Sequence, residues 1–459
     1  MATIAFIQHR LGRTDGVSLE VDKWRLILER LGHKVLYLAG NEDAPDGYFI
    51  PELYPLDPTT NRILHNATRE LKDYPNGKAL MDEVTAHAAK IKPRIVEFLQ
   101  KENIDLVFPN NLVSVGYNLP GMKALVEALE ETGVKAVCHN HDFWWEDSGE
   151  VYPTCPEVIE FYEKYAPPVA PQISHCVINR IGQRELKARK GVDSRVVPNV
   201  FDFQQPSWEA DEYNADFREA IGLGPHDLFF LQATRVLDRK GIELAIEVIA
   251  ELQKPENRHR LEACPLYDGR TFGPGEQIVL VCAGYVEVIG LSGSYAASLQ
   301  AKADELGVKI IWCADQVKHS RGKEDGRKIY SLWDSYVAAD FVTYPSYWEG
   351  WGNQLIEAVY AKKPVLLFEY PVYVTDLREA GFEVVSLGTE LGPRDDRDLV
   401  TVPGERVRAA TDQVITYLQE PNLRKTAVEK NFQSAAERYS YEALETIIRE
   451  ILHENGIKS

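Results

Sequence analysis

A short apolar run ends in Pro345-Ser346, continues into Glu349-Gly350-Trp351-Gly352, and leads to a segment predicted to be helical from near Asn353. A helix N-terminus behind a glycine loop offers N–H groups and the positive end of a dipole, which suits a phosphate or sugar hydroxyls. Glu349 lies at the mouth of that helix, and Glu357, eight residues on, falls on its second turn. A carboxylate can accept two hydrogen bonds from a vicinal diol, so both suit a polyhydroxylated ligand. A second constellation, Arg235 to Gly241 (RVLDRKG), follows the apolar run 228–232 and precedes a helix predicted from Ile242. Arg235 and Lys240 would then sit at a strand's carboxyl end, where fixed cations stabilise a departing anion. Arg239 between them leaves a plain solvated basic loop open as well.

A third stretch, Val137 to Asp142, ends a predicted strand and carries His139, His141 and Asp142. These types could ligate zinc, but two histidines one residue apart are expected to project to opposite sides of the chain, which disfavours such a site. Trp144, Trp145, Tyr152, Tyr347, Trp348 and Trp351 surround the motifs. Their rings could stack on sugar faces or simply fill the core. Lys318 to Lys323 reads as a solvated loop with a ligand role open. No side chain stands out as a nucleophile, and no Asp-x-Asp metal motif lies at a plausible strand end.

The elements that must position these residues alternate apolar strand-like runs with helix-period segments, the pattern of parallel sheets with crossover helices. In the first half the runs are Thr3 to Ile7, Val35 to Leu38, Asp105 to Phe108, Lys135 to Cys138 and Cys176 to Asn179. A helix carrying Val17, Val21, Trp24, Leu28 and Leu31 stops at Gly32, and Asp43 to Asn76 reads as a long excursion without a clear period. The pattern breaks between Pro198 and Pro225, then resumes at Leu228, Ile278, Lys309, Phe341 and Pro364. This predicts a domain over 1–200, a second over 201–435, and a C-terminal helix within 436–459 that packs back on the first. Two doubly wound Rossmann-like domains of this kind would place their ligand crevices at the carboxyl ends of the strands, facing across a cleft.

The segment from Val337 to Leu366 resembles the Glu-x7-Glu signature of retaining GT-B glycosyltransferases, in particular glycosyltransferase family 4. Asp15-Gly16-Val17 is similar to that family's Gly-Gly-Val turn, Val196 to Asp202 to its Val-Ile-Pro-Asn-Gly-Val-Asp crossing, and RVLDRKG to its Arg-x4-Lys-Gly phosphate clamp. The resemblance implies catalytic roles for Arg235, Lys240, Glu349 and His141. Arg235 and Lys240 would hold the diphosphate, Glu349 the donor-sugar hydroxyls, and Glu357 the ribose. His141-Asp142 matches the family's His-Asp pair near the donor sugar better than His139 does. Gly16, Gly350, Trp351, Gly352, Asn353 and Asp142 would complete the donor site. The family's mechanism, in which the acceptor attacks from the face the diphosphate leaves, needs no metal or other cofactor. Two departures bear on substrate identity. Asp15 replaces a glycine, and Glu369 to Leu377 stands where the family carries paired glycines.

Of the 459 residues, 70 are acidic and 51 basic, a formal charge of -19. Such a surface opposes nucleic acid and anionic lipid as partners. No apolar run approaches the ~20 residues of a membrane helix, and no signal peptide is evident, so a cytoplasmic protein is expected. The six cysteines have no metal-ligand spacing and are expected to be buried free thiols. The partners implied are a UDP- or GDP-linked hexose and a small soluble hydroxyl acceptor (a sugar, sugar acid or polyol); a homo-oligomer is compatible with the sequence. Two other functions stay open: a retaining disaccharide phosphorylase on the same fold, and a non-catalytic sugar-nucleotide sensor.

Overall fold

Strands covered on both faces read as continuous apolar runs, and in the computed structural model of the chain these runs form parallel sheets. The structure describes residues 1–12, 15–44, 47–146, 151–286 and 292–458. The chain divides into one unit of Met1–Val200 with Tyr441–Ser459 and another of Phe201–Ser440.

The first unit contains β1 (Thr3–Gln8), β2 (Lys34–Ala39), β3 (Gly47–Phe49), β4 (Leu106–Pro109), β5 (Lys135–Asn140), β6 (Ile173–Val177) and β7 (Ser194–Val196). They pair in parallel in the order β3-β2-β1-β4-β5-β6-β7. The helix Gly16–Arg30 covers one face with Val21, Trp24, Ile27 and Leu28. In the helix Tyr441–Glu454, Leu444, Ile448, Ile451 and Leu452 recur at helical spacing and join the same core. Burying each such side chain contributes about 1.5–3 kcal/mol, enough to hold this helix on the unit.

The second unit contains β8 (Leu228–Gln232), β9 (Ile278–Cys282), β10 (Lys309–Trp312), β11 (Val317–Lys318), β12 (Gly322–Glu324), β13 (Arg327–Ser331), β14 (Phe341–Tyr344), β15 (Val365–Leu367) and β16 (Val385–Ser386). Its main sheet runs β10-β9-β8-β14-β15-β16, all parallel. Strand order reverses between β1 and β4 in one unit and between β8 and β14 in the other. Ligands of open α/β sheets bind outside the strand ends at such reversals.

Several sequence expectations change. The excursion after Asp43 contains β3 and a helix, Pro58–Thr68, whose N-cap Asp57 accepts hydrogen bonds from Thr59 N and Thr60 N at 3.1 Å. Asp-Pro, an N-cap followed by proline at the first helical position, was the local signal. The strand expected at Cys176 to Asn179 is β6, which begins three residues and ends two residues earlier. Asn179 instead caps the helix Arg180–Lys190 by accepting from Gly182 N at 2.7 Å. Lys318 to Lys323 is solvent-exposed, as expected, and joins β11 to β12 in a small sheet ordered β11-β13-β12. There Arg321 is ion-paired to Asp334 and, at 2.7 Å, to Asp211. All six cysteines are free, but Cys264 is exposed and Cys155 half-buried. No helix among the described residues is long and apolar enough to cross a membrane.

Candidate active site

β8 and β14 are hydrogen-bonded neighbours, with Phe341 beside Phe230 and Val342 beside Leu231. The loops that leave their carboxyl ends therefore run side by side. After β8 the chain tightens into a turn, where Lys240 N donates to Leu237 O at 2.9 Å and Gly241 N to Asp238 O at 3.0 Å. Gly241 adopts φ 56°, and a Cβ there would lie 2.5 Å from the Pro345 carbonyl oxygen. Only glycine lets the two loops touch at this point. Tyr347 N donates to Arg239 O at 3.1 Å and zips them further.

The contact brings three charged side chains together. The Lys240 ammonium donates to Glu349 Oε1. Arg239 Nη1 donates to Glu349 Oε2 at 2.7 Å and to the Trp348 carbonyl at 3.0 Å. Lys240 is 4% exposed and Glu349 8%. Burial pushes the Glu349 carboxyl up, but the Lys240 and Arg239 charges outweigh it and hold the group at about 2. It is a carboxylate throughout the physiological range. Arg235 is exposed, and its charge is near enough to act on the Lys240 ammonium. Burying such charges gains little stability even when they are paired, and strongly perturbed groups cluster where chemistry is done. Burial and the Glu349 charge also push the Tyr344 and Tyr370 phenols well above their ordinary range.

After Glu349 the chain turns through Gly350 and Gly352 into the helix Asn353–Tyr360. A Cβ on Gly352 would meet the buried Tyr370 hydroxyl at 2.4 Å, so the glycine is set by the residue that replaces the family's paired glycines. Trp351 is 5% exposed and packs edge-on against Tyr439 at 5.5 Å, which makes it a core residue of this unit. Glu357 is half-buried, and the buried Tyr336 hydroxyl donates to its Oε2 at 3.0 Å. Tyr336 thus fixes one oxygen's orientation. If Glu357 takes the ribose, as the family resemblance implies, Glu357→Ala is expected to weaken nucleotide binding by about 1.5–3 kcal/mol, measured by titration calorimetry. Unchanged affinity would remove Glu357 from the nucleotide site.

In the first unit, Asn111 organises the loop after β5. Its Oδ1 accepts from His141 N at 2.7 Å and Asp142 N at 3.2 Å, while its Nδ2 donates to Asp142 Oδ2 at 2.8 Å. Asn111 has φ 54°, a conformation asparagine tolerates better than most residues. The expectation that His139 and His141 project to opposite sides is wrong. Residues i and i+2 of an extended chain share a face, and the two rings lie 4.3 Å apart. Among the described residues, no three His, Cys, Asp or Glu side chains gather as a metal site would require. Burial, with the Lys23 charge adding to it, pushes His141 down to about 3, and burial pushes His139 well below its usual value. Both are neutral at physiological pH. His141 Nε2 is buried and has no hydrogen-bond partner among the described residues. Gly16 opens the helix Gly16–Arg30, and the preceding Asp15 is its N-cap, accepting from Ser18 N at 3.2 Å. That capping role is a structural reason for aspartate where the resembling family has glycine.

The aromatic residues divide by environment. Trp144 stacks on Tyr162 at 4.9 Å and donates to Ala166 O at 2.8 Å, and Trp145 stacks on Phe143 at 4.5 Å. Trp348 lies 5.5 Å from the Arg239 guanidinium, and Tyr152 is exposed. Sequence reasoning missed Arg239, Tyr336 and Asn111. Arg239 alone had a signal, its place beside Lys240, and it looked like a solvated neighbour.

Two doubly wound units, one carrying this cation–carboxylate constellation at its strand reversal, define a GT-B glycosyltransferase. The family model for glycosyl transferases group 1 matches residues 214–434. A mannosylglucosylglycerate synthase of Petrotoga mobilis is 35% identical over 423 residues, 91% of this chain and 94% of that protein. One from Thermotoga maritima is 37% identical over 451 residues, 98% and 99% of the two chains. The crystal structure of a glycosyltransferase from Rickettsia africae shares the fold, with a TM-score of 0.62 at 14% identity, over 100% of this chain and 99% of that one. The chain belongs to the family of these two mannosylglucosylglycerate synthases, and its residues 214–434 match the glycosyl transferases group 1 domain.

Proposed function

We propose that this glycosyltransferase moves a hexose from a UDP- or GDP-linked donor to a hydroxyl of a small soluble acceptor, with retention of anomeric configuration and without a metal ion. The observation that carries the reading is the buried Lys240–Glu349–Arg239 constellation at the β8/β14 reversal. Breaking the bond between the anomeric carbon and the diphosphate places positive charge on the carbon and negative charge on the phosphates. Lys240 and Arg235 hold the diphosphate and offset its growing charge, the task a metal performs elsewhere. Glu349, kept ionised by its two cations, accepts hydrogen bonds from donor-sugar hydroxyls. Glu357 accepts from the ribose. His141, being neutral, acts as a hydrogen-bonding group through its unpartnered Nε2 and not as a cation. The acceptor hydroxyl attacks from the face the diphosphate leaves, and its proton passes to a phosphate oxygen.

The relatives' name describes a product of mannosyl, glucosyl and glycerate parts. On that basis the hexose is mannosyl and the acceptor a sugar acid of the glucosylglycerate kind. The free cysteines suit the reducing cytoplasm as its location. Incubation of UDP- and GDP-linked hexoses with such an acceptor should release nucleoside diphosphate at the same rate in excess EDTA as without it. Loss of activity on chelation, restored by Mg²⁺ or Mn²⁺, would overturn the metal-free mechanism.

A further inference from the structure

The clamp loop carries an acidic residue, Asp238, two positions before Lys240. An uncompensated carboxylate there would repel a diphosphate held by Lys240 and Arg235. Arg394, more than 150 residues away in sequence, answers it with a two-pronged contact: Nη1 donates to Asp238 Oδ1 at 3.1 Å and Nη2 to Oδ2 at 3.0 Å. Such fork-to-carboxylate pairs fix geometry as well as charge. Arg394 Nη2 also donates to the Tyr347 hydroxyl at 3.1 Å, and that hydroxyl donates to Asp238 Oδ2. Tyr347 N is bonded to Arg239 O, and Glu349 lies two residues beyond Tyr347. The guanidinium therefore touches both loops whose contact assembles the site.

The segment that delivers it is closed on itself. Gly392 N donates to Thr401 O at 2.7 Å, Thr401 Oγ1 to Pro393 O at 2.7 Å, and Asp395 N to Leu399 O at 2.9 Å. It is anchored where Val400 N donates at 2.8 Å to Glu243, a fully buried carboxyl group in the first turn of the helix that follows the clamp. The Arg394 and Asp238 side chains are 37% and 45% exposed. A pair that accessible adds little to folding stability, so its removal should leave the fold intact.

We propose that Arg394 is a positioning residue for glycosyl transfer: it neutralises Asp238, so that the clamp presents only positive charge to the donor diphosphate. The inference rests on the assignment of Lys240 and Arg235 to that diphosphate.

Arg394→Ala should lower kcat/KM for the donor about fivefold or more, the effect of one unmasked charge several ångströms from the ligand, with little change in the thermal unfolding midpoint. Adding Asp238→Asn in the same chain should restore donor kcat/KM to within about twofold of wild type, because the unmasked charge is then gone. A purely structural role for the 392–401 segment would show no such rescue. Unchanged donor kinetics in Arg394→Ala, or an impaired Arg394→Ala that Asp238→Asn fails to rescue, would overturn the proposal. Should Arg394→Ala not fold, Arg394→Gln takes its place, and the same rescue is required. Lys240→Ala, measured in parallel, separates the two levels. If it too leaves donor kinetics intact, the diphosphate assignment itself fails; if it is impaired while Arg394→Ala is not, only the role of Arg394 fails.

Discussion

Replacing Lys240 with alanine is expected to lower turnover by about 10²-fold or more, the usual scale for one group that stabilises developing charge. On the proposed reading the ammonium contacts the diphosphate before the reaction, and the charge it meets grows as the sugar–phosphate bond breaks. Only that increase accelerates the chemical step. Apparent donor affinity should fall less, since Arg235 remains on the same group. The Arg235→Ala/Lys240→Ala double variant should cost less than the sum of its parts, because two cations acting on one diphosphate are coupled. Lys240 also holds Glu349, so its loss leaves a buried carboxylate with Arg239 as its remaining cation. Steady-state kinetics are therefore to be read beside a thermal unfolding curve, and Lys240→Arg, which keeps the charge, should retain more activity than Lys240→Ala. A rise in donor KM with kcat intact would make Lys240 a uniform binding contact.

Gly241→Ala is expected to be comparably damaging for a different reason. The new methyl group would meet the Pro345 carbonyl oxygen at 2.5 Å, a backbone atom that cannot swing aside as a flexible side chain can. The loops must separate, carrying Lys240 away from Glu349, and misplacement of about 1 Å at a reacting centre can cost 10²-fold in rate. The φ of 56° adds strain of about 1 kcal/mol. Gly133→Ala provides the control, since Gly133 has φ 69° but nothing within 4 Å of a built Cβ. Both variants should lose some stability in thermal unfolding, and only Gly241→Ala should lose kcat. Equal kcat in the two would show that the loop contact does not set the geometry of the site.

The elements were legible where one signal sufficed. Runs such as Leu228–Gln232 and Phe341–Tyr344 are buried on both faces, so their unbroken apolar character located them, and the order of strands and helices led to two parallel sheets. The clamp and the two glutamates were legible because each occupies a short contiguous motif next to a strand end. What escaped depends on residues that meet only in space. No spacing rule connects Arg394 to Asp238, Tyr336 to Glu357, or Asn111 to the His141 loop. Arg239 was visible but ambiguous, since a guanidinium beside Lys240 becomes a partner of Glu349 only when Gly241 brings the two loops together. The histidine pair misled for a simpler reason: alternate residues of a strand share a face, and His139 and His141 lie ring to ring. The Lys318–Lys323 stretch is as exposed as its many charges suggested, but nothing in its spacing pointed to the pairing of Arg321 with carboxylates from two other segments.

The proposed reaction moves a hexosyl group from a nucleoside diphosphate to a sugar-acid hydroxyl with its anomeric configuration kept. The most direct measurement is proton NMR of the anomeric region while the enzyme turns over an α-linked UDP- or GDP-hexose, GDP-mannose among them, with glucosylglycerate in EDTA. One new anomeric signal of α configuration is expected, appearing in step with released nucleoside diphosphate. A β-configured product, or hexose 1-phosphate formed from a disaccharide and inorganic phosphate with no nucleotide consumed, would contradict it.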